Sequence, residues 1–188
     1  MRENLIETIE YKGCKIEVLY DTDPMNPIKE WDMLGKFICF HRRYALGNVK
    51  GFDTKEEVEE YAKKNKCRLF PLYLYDHSGI TISLSPFSCR WDSGQVGWVM
   101  LEPDDVRKEF GKKRISKKNW EMAEQRIKGE VEVYDQYLRG EVYGHMIYDK
   151  DGEMYDSCWG YYGDTKDMIA EAKRNVDYLV GKEKAKAV

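Results

Sequence analysis

An α+β domain, an antiparallel sheet built from hairpins with helices packed on one side, is what this sequence predicts. Paired stretches of strand length alternate apolar and polar residues around turn formers. Two longer stretches, 116–139 and 165–180, repeat apolar residues every three or four positions. The resulting order, ββ, β, α, βββ, αα, ββ, α, fits helices laid over an antiparallel sheet.

Residues 5–10 and 14–20 read as an opening hairpin around Lys12-Gly13. A loop dense in turn formers follows at 21–27, and Phe37-Ile38-Cys39-Phe40 fits a short buried strand ending at His41-Arg42-Arg43-Tyr44. Thr54 with Glu57 forms a capping box that starts a helix over 55–66. Its apolar side is thin (Val58, Tyr61 and Ala62), which suggests a surface helix at a sheet edge. Strands are predicted at 69–75, 79–84 and 95–101, with turns at Asp76-His77-Ser78-Gly79 and Asp92-Ser93-Gly94. Pro103 opens a short helix that ends near Gly111. The longest helix carries the stripe Trp120, Ala123, Ile127, Val131, Tyr134 and Leu138, with Gly129 inside it at a cost of about 1 kcal/mol. A second hairpin, 142–148 with 153–159, closes through Asp149-Lys150-Asp151-Gly152. His145 alternates with apolar neighbours there and needs no function. The last helix, 165–180, lines up Met168, Ile169, Ala172, Val176 and Leu179.

At 188 residues the expectation is a single domain over 1–180 with a flexible tail at 181–188. Hydrophobic residues at 42% and aromatics at 13% exclude general disorder. A formal charge of −3 argues against a dedicated duplex-DNA binder, and 34 acids beside 31 bases cannot make a DNA mimic. Five cysteines are scattered with no C-x-x-C pair, which reads as reduced thiols in a cytoplasm. No apolar signal region and no membrane-spanning run is visible, so no membrane partner is expected. No cofactor fingerprint stands out.

The reactive side chains concentrate in the middle of the chain. If strands 69–75 and 79–84 pair, the Asp76–Gly79 turn lies at one sheet end, and the connection through Asp92 would return near it. His77 could then do acid–base work with Asp76 or Asp92 orienting its ring. Each turn taken alone is more simply read as an aspartate capping a backbone. Cys89 with His77 and an aspartate has the residue types of a thiol triad, but in no supporting order. Asp76, His77, Asp92 and Asp156 lack metal-ligand spacing, and no metal is expected. His41, Arg42, Arg43 and Tyr44 form a cationic and aromatic group that could clamp phosphate or carboxylate, with a solvated strand end carrying surface ion pairs the simpler reading. Lys112, Lys113 and Arg114, with Lys117 and Lys118, put five cations in seven residues, an RNA-contact candidate or a solvated face. Trp31, Trp91, Trp98 and Trp159 could stack unpaired bases, with core packing the better reading for Trp98.

Several segments together resemble a known group of proteins. They are Glu30-Trp31-Asp32-Met33-Leu34-Gly35, Cys39-Phe40-His41-Arg42-Arg43-Tyr44, Tyr73 to Gly79, Pro86 to Gly97, Val142-Tyr143-Gly144 and Asp156-Ser157-Cys158-Trp159-Gly160. They resemble an uncharacterised family carried by phages, plasmids and conjugative elements of Gram-positive bacteria, over roughly residues 5 to 163. Family members more often have proline where this chain has Arg90, which alters that turn. The resemblance implies a setting rather than an activity. Accessory proteins of such elements often blunt host defence; anti-CRISPR proteins are one class, some binding the effector and some cutting its guide RNA. It therefore implies a host defence protein or ribonucleoprotein as partner, with RNA as a further ligand. Three expectations follow: a binding inhibitor using the aromatic and arginine residues, a metal-independent ribonuclease using His77, Asp76 and Asp92 with Arg42 and Arg43 holding phosphate, or a structural or regulatory accessory protein with no defence target.

Overall fold

The computed structural model describes residues 3–186. In chain order its elements are β1 (Leu5–Tyr11), β2 (Cys14–Tyr20), α1 (Pro27–Glu30), β3 (Lys36–Cys39), α2 (Lys55–Asn65), β4 (Arg68–Asp76), β5 (Ile80–Ser83), β6 (Ser93–Leu101), α3 (Pro103–Phe110), α4 (Lys117–Leu138), β7 (Val142–Tyr148), β8 (Met154–Tyr162) and α5 (Thr165–Lys186). The fold is α+β with antiparallel hairpins, as the sequence predicts, and the strands divide between two four-stranded sheets. Two compact units result, one from the chain ends up to Met25 and from Gly140, the other from Asn26–Arg139. Among the described residues, no helix is long and apolar enough to cross a membrane.

The unit made of the chain ends orders its strands β1-β2-β7-β8. Lys12 and Gly13 both take positive φ, 52° and 80°, the tight two-residue turn whose twist matches the flanking strands. In the second hairpin, Asp149 Oδ1 accepts from the backbone N–H groups of Asp151 (3.0 Å) and Glu153 (2.9 Å), closing the turn with its own side chain. Helix α5 lays Ala172 and Val176 on Cys14, Ile16 and Ile147, so helical cover on one side describes this sheet. The helix continues through 181–186, where the sequence suggests a flexible tail. One glycine costs a helix only about 1 kcal/mol, and Lys182 Nζ sits 4.5 Å from the Tyr178 ring centroid one turn back.

His145 is fully buried in this sheet, opposite Val18 on one side and Cys158 on the other. Neither ring nitrogen has a hydrogen-bond partner among the described residues. Burial holds the imidazole below its ordinary pKa, against the opposing pull of Asp156 and Glu171.

In the second unit the order is β3-β6-β4-β5. Both faces of this sheet are covered, which explains the unbroken buried run from Val96 to Leu101 in β6. Phe37, Leu72, Val99 and Leu101 meet Val106 of α3 and the α4 stripe Ala123, Ile127, Val131 and Tyr134. Ile38, Trp98 and Met100, pointing the other way, meet Val58 of α2. Helix α2 thus covers a face rather than an edge, with Val58 and Ala62 both buried. Its capping box is as predicted, and α4 has another, Ser116 with Asn119. Gly129 faces open space, and the helix passes through it unbroken.

One charged side chain lies on the buried stripe of α4. Glu130 accepts from the backbone N–H groups of Leu34 (2.8 Å) and Gly35 (2.9 Å) and from Arg126 Nε (2.8 Å). It fastens the segment entering β3 to the helix. Five residues on, Asp135 Oδ1 accepts from Thr81 Oγ1 (2.5 Å) and the Ile82 N–H (2.7 Å), fastening the edge strand β5.

Two outcomes are expected. Glu130→Ala strands two buried N–H groups and should cost about 3 to 5 kcal/mol in urea unfolding, with Glu130→Gln milder; a loss below about 1 kcal/mol would contradict the clamp. For His145 the folded pKa lies below the unfolded 6.5. Stability is therefore fully present above pH 6.5 and falls as the unfolded chain takes up a proton the folded one refuses. The loss is at most about 1.4 kcal/mol per pH unit. His145→Leu should flatten that part of the urea-midpoint profile, and an unchanged slope would exclude His145 as its source.

Candidate functional site

Three chain segments leave the second sheet at one end: the one after β3, the turn after β4, and the one before β6. The ladder holds them together there, with the Asp76 N–H donating to the Asp92 carbonyl (2.8 Å) and the Phe40 N–H to the Val96 carbonyl (2.8 Å). The β4–β6 register passes from Leu72 opposite Gly97 to Tyr73 opposite Gln95, which leaves Val96 as a bulge. Between them lies a shallow hollow of about 430 Å³ bordered by His41, Asp76, Trp91, Asp92 and Gln95.

The segment after β3 is folded on itself. His41 Nδ1 accepts from the backbone N–H groups of Arg43 (3.3 Å) and Tyr44 (3.2 Å), and its ring stacks on that of Tyr44 at 5.0 Å. Asp76 anchors this loop to the sheet. The Tyr44 hydroxyl lies 3.1 and 3.0 Å from its two carboxylate oxygens, and Arg43 Nη1 donates to it at 3.2 Å. Arg42 is exposed and makes no hydrogen bond or ion pair with any described residue.

The carboxylate beside His77 is Asp92, Nδ1 to Oδ2 3.2 Å. Asp76 is engaged with Tyr44 and Arg43 instead. His77 also stacks on Tyr75, two residues earlier, at 5.9 Å between centroids. The pair is open to solvent, its side chains 63% and 41% exposed. Cys89 Sγ lies 3.9 Å from the same Oδ2 of Asp92, so the thiol meets the carboxylate and makes no hydrogen bond to the imidazole. That order lacks the cysteine–histidine contact that activates a thiol nucleophile. Ser93 Oγ donates to the Cys89 carbonyl and closes the 89–93 loop. Trp91, at its tip, is 96% exposed.

The remaining residues singled out in the sequence lie elsewhere. Trp31 caps the C-terminus of α1. Asp156 belongs to the other unit, where it accepts from Asn175 Nδ2 at 2.8 Å. Among the described residues, no group of three or more His, Cys, Asp or Glu is placed to hold a metal ion. Lys113 and Arg114, from the loop before α4, border a larger cleft of about 700 Å³ that also takes in Lys66, Arg68, Arg107 and Trp120. Those four do not stand out as a group in the sequence, where they lie up to 54 positions apart and no local pattern links them. The chain matches no family model, no curated protein and no solved structure.

Tyr44→Phe removes the hydroxyl that ties the loop to Asp76. It should cost about 1 to 2 kcal/mol by urea unfolding, with circular dichroism unchanged in the folded baseline. A variant as stable as wild type would show that the 41–44 loop holds its place without Asp76.

Proposed function

We propose that this protein is a binding inhibitor of a host-defence nucleoprotein, and that the loop carrying Trp91 is its main contact. One observation supports this above the others: a tryptophan exposed over 96% of its surface stands on a loop that is braced from within. Ser93 holds Cys89, Cys89 meets Asp92, and Asp92 holds His77. Tryptophan is, with tyrosine and arginine, among the residue types most enriched at binding hot spots. A braced loop loses little further entropy on binding. Arg42 and Arg90, both exposed and without a described partner, add cations suited to a phosphate or carboxylate. The defence setting comes from the family resemblance of the segments at 39–44, 73–79 and 86–97.

A metal-independent ribonuclease is the second reading, and the His77–Asp92 pair is the observation that favours it. With Nδ1 on the carboxylate, Nε2 remains for a substrate proton. The shallow, solvent-open setting of the pair supports binding over turnover, because little water is excluded there.

The test is affinity purification of tagged wild type, Trp91→Ala and His77→Ala from a host expressing a CRISPR system. The inhibitor reading expects a stoichiometric effector with intact guide RNA, a loss of about 2 kcal/mol or more in affinity for folded Trp91→Ala, and a clearly smaller loss for His77→Ala, which removes one brace of the loop and no contact. Shortened guide RNA that persists with EDTA and disappears in His77→Ala would establish the ribonuclease instead. Undiminished capture by Trp91→Ala would remove Trp91 from the contact.

A further inference from the structure

We propose that the cleft between α2, α3 and the start of α4 binds a short stretch of single-stranded nucleic acid. Its residues are separate from those of the Trp91 loop, and the inference does not depend on the defence reading. Five cations border one hollow of about 700 Å³: Lys66, Arg68, Arg107, Lys113 and Arg114. This gathering occurs on a chain whose formal charge is −3, so it runs against the overall balance.

Carboxylates offset only part of it: of the five cations, Arg107 is paired with Asp104 and Arg68 with Glu124. Glu102 pairs with Lys36 (2.9 Å) and accepts from the Tyr61 hydroxyl (3.2 Å). Lys66, Lys113 and Arg114 are left with no side-chain hydrogen bond or ion pair to any described residue. Like charges collected in a concavity repel one another, and an anion relieves that repulsion while gaining contacts from several sides. The backbone at Lys66 is fixed, in the left-handed region at φ 59°, with its N–H bonded to the Ala62 carbonyl at the end of α2.

Aromatic surface selects among possible anions. Arg68 lies 4.3 Å over the Trp120 ring and is held there by Glu124, so a stacked guanidinium and indole stand among the cations. Tyr61 contributes a second ring to the walls. Cations interleaved with aromatic faces suit a strand that offers one phosphate per nucleotide and bases free to stack. A duplex hides its base faces and needs a long basic track, and five cations around one hollow do not make one. An acidic peptide would use the cations and leave the rings idle.

Fluorescence anisotropy with labelled oligouridine, its deoxy counterpart and a hairpin duplex tests this on the full chain. Wild type should bind both single strands, more tightly than the duplex. Lys113→Glu with Arg114→Glu should weaken binding about tenfold or more, and lower the salt slope by about 0.7 per cation removed. Lys66→Glu, at an exposed position apart from that loop, should act in the same direction. Lys166→Glu with Arg174→Glu, in the other unit, should change nothing. No single-strand binding near ~50 mM salt, equal affinity for duplex, unaffected binding in both cleft variants, or an equal loss in the control would each overturn the proposal. A failure of Trp91→Ala to reduce effector capture would leave it standing, since that concerns a different set of residues.

Discussion

The candidate site depends on how closely three backbones run at the centre of the second sheet. A methyl group at Gly97 would sit 1.8 Å from the Ile38 carbonyl oxygen, so no side chain fits where β6 passes β3. The bulge at Val96 follows immediately towards the site and shifts the register against β4 by one residue. Without that shift, the alternation of faces beyond it would be reversed, because strand side chains repeat every two residues. With it, the Asp92 carbonyl meets the Asp76 N–H and the Val96 carbonyl meets the Phe40 N–H. The 41–44 loop and the His77 turn therefore meet the Trp91 loop at one sheet end as a consequence of a glycine and an extra residue in β6, a strand to which neither of them belongs.

Rigid cover behind this sheet comes from α4, and it acts partly through charge. Glu130 and Asp135 accept backbone N–H groups from opposite margins of the sheet, the approach to β3 and the edge strand β5. Their spacing is five residues, so they do not sit directly above one another on the helix and can reach different strands. Arg126 extends the first clamp by donating to Glu130, to Glu109 of α3 and to the Asp32 carbonyl. Apolar packing of Ile127, Val131 and Tyr134 provides the driving force, and the carboxylates specify which strands lie where.

Local patterns make much of this legible in the sequence itself. The Lys12-Gly13 and Asp149–Gly152 turns, the Thr54–Glu57 box and the stripes of α4 and α5 all rest on contacts within a few residues, where spacing reports geometry directly. The division into two sheets is not legible there, because it depends on β2 pairing with β7 across more than a hundred residues. Helix α2 reads as an edge element because Val58, Tyr61 and Ala62 make a thin stripe, yet one buried valine, Val58, joins it to Ile38, Trp98 and Met100 on the sheet face. Glu130 does leave a signal: it lies three residues after Ile127, on the stripe itself, where a charge needs a partner. The proximity of His77 to Asp92 follows from the expected strand order. The division of labour between the aspartates follows from pleating: His77 shares the side of Tyr75, on which it stacks, while Asp76 between them turns towards Tyr44.

Net charge bounds a whole chain and not its patches, and here the gap between the two has a structural cause. Several of the acids are held by protein donors: Glu130 and Asp135 on backbone, Asp76 on Tyr44 and Arg43, Asp92 on His77, Glu102 and Asp105 on Lys36. A carboxylate held by protein donors has its field directed into those donors and is less available to neutralise a distant cation. The exposed bases at the cleft and the site end have no such partners: Lys66, Lys113, Arg114 and Arg42 face solvent. A formal charge of −3 therefore coexists with local surfaces that attract anions, and the acid-rich composition that argues against a duplex-DNA binder carries no such weight against a strand short enough to lie within one cleft. Two of these carboxylates also order the site end: Asp92 holds His77 beside the Trp91 loop, and Asp76 holds Tyr44 and Arg43 in the 41–44 loop.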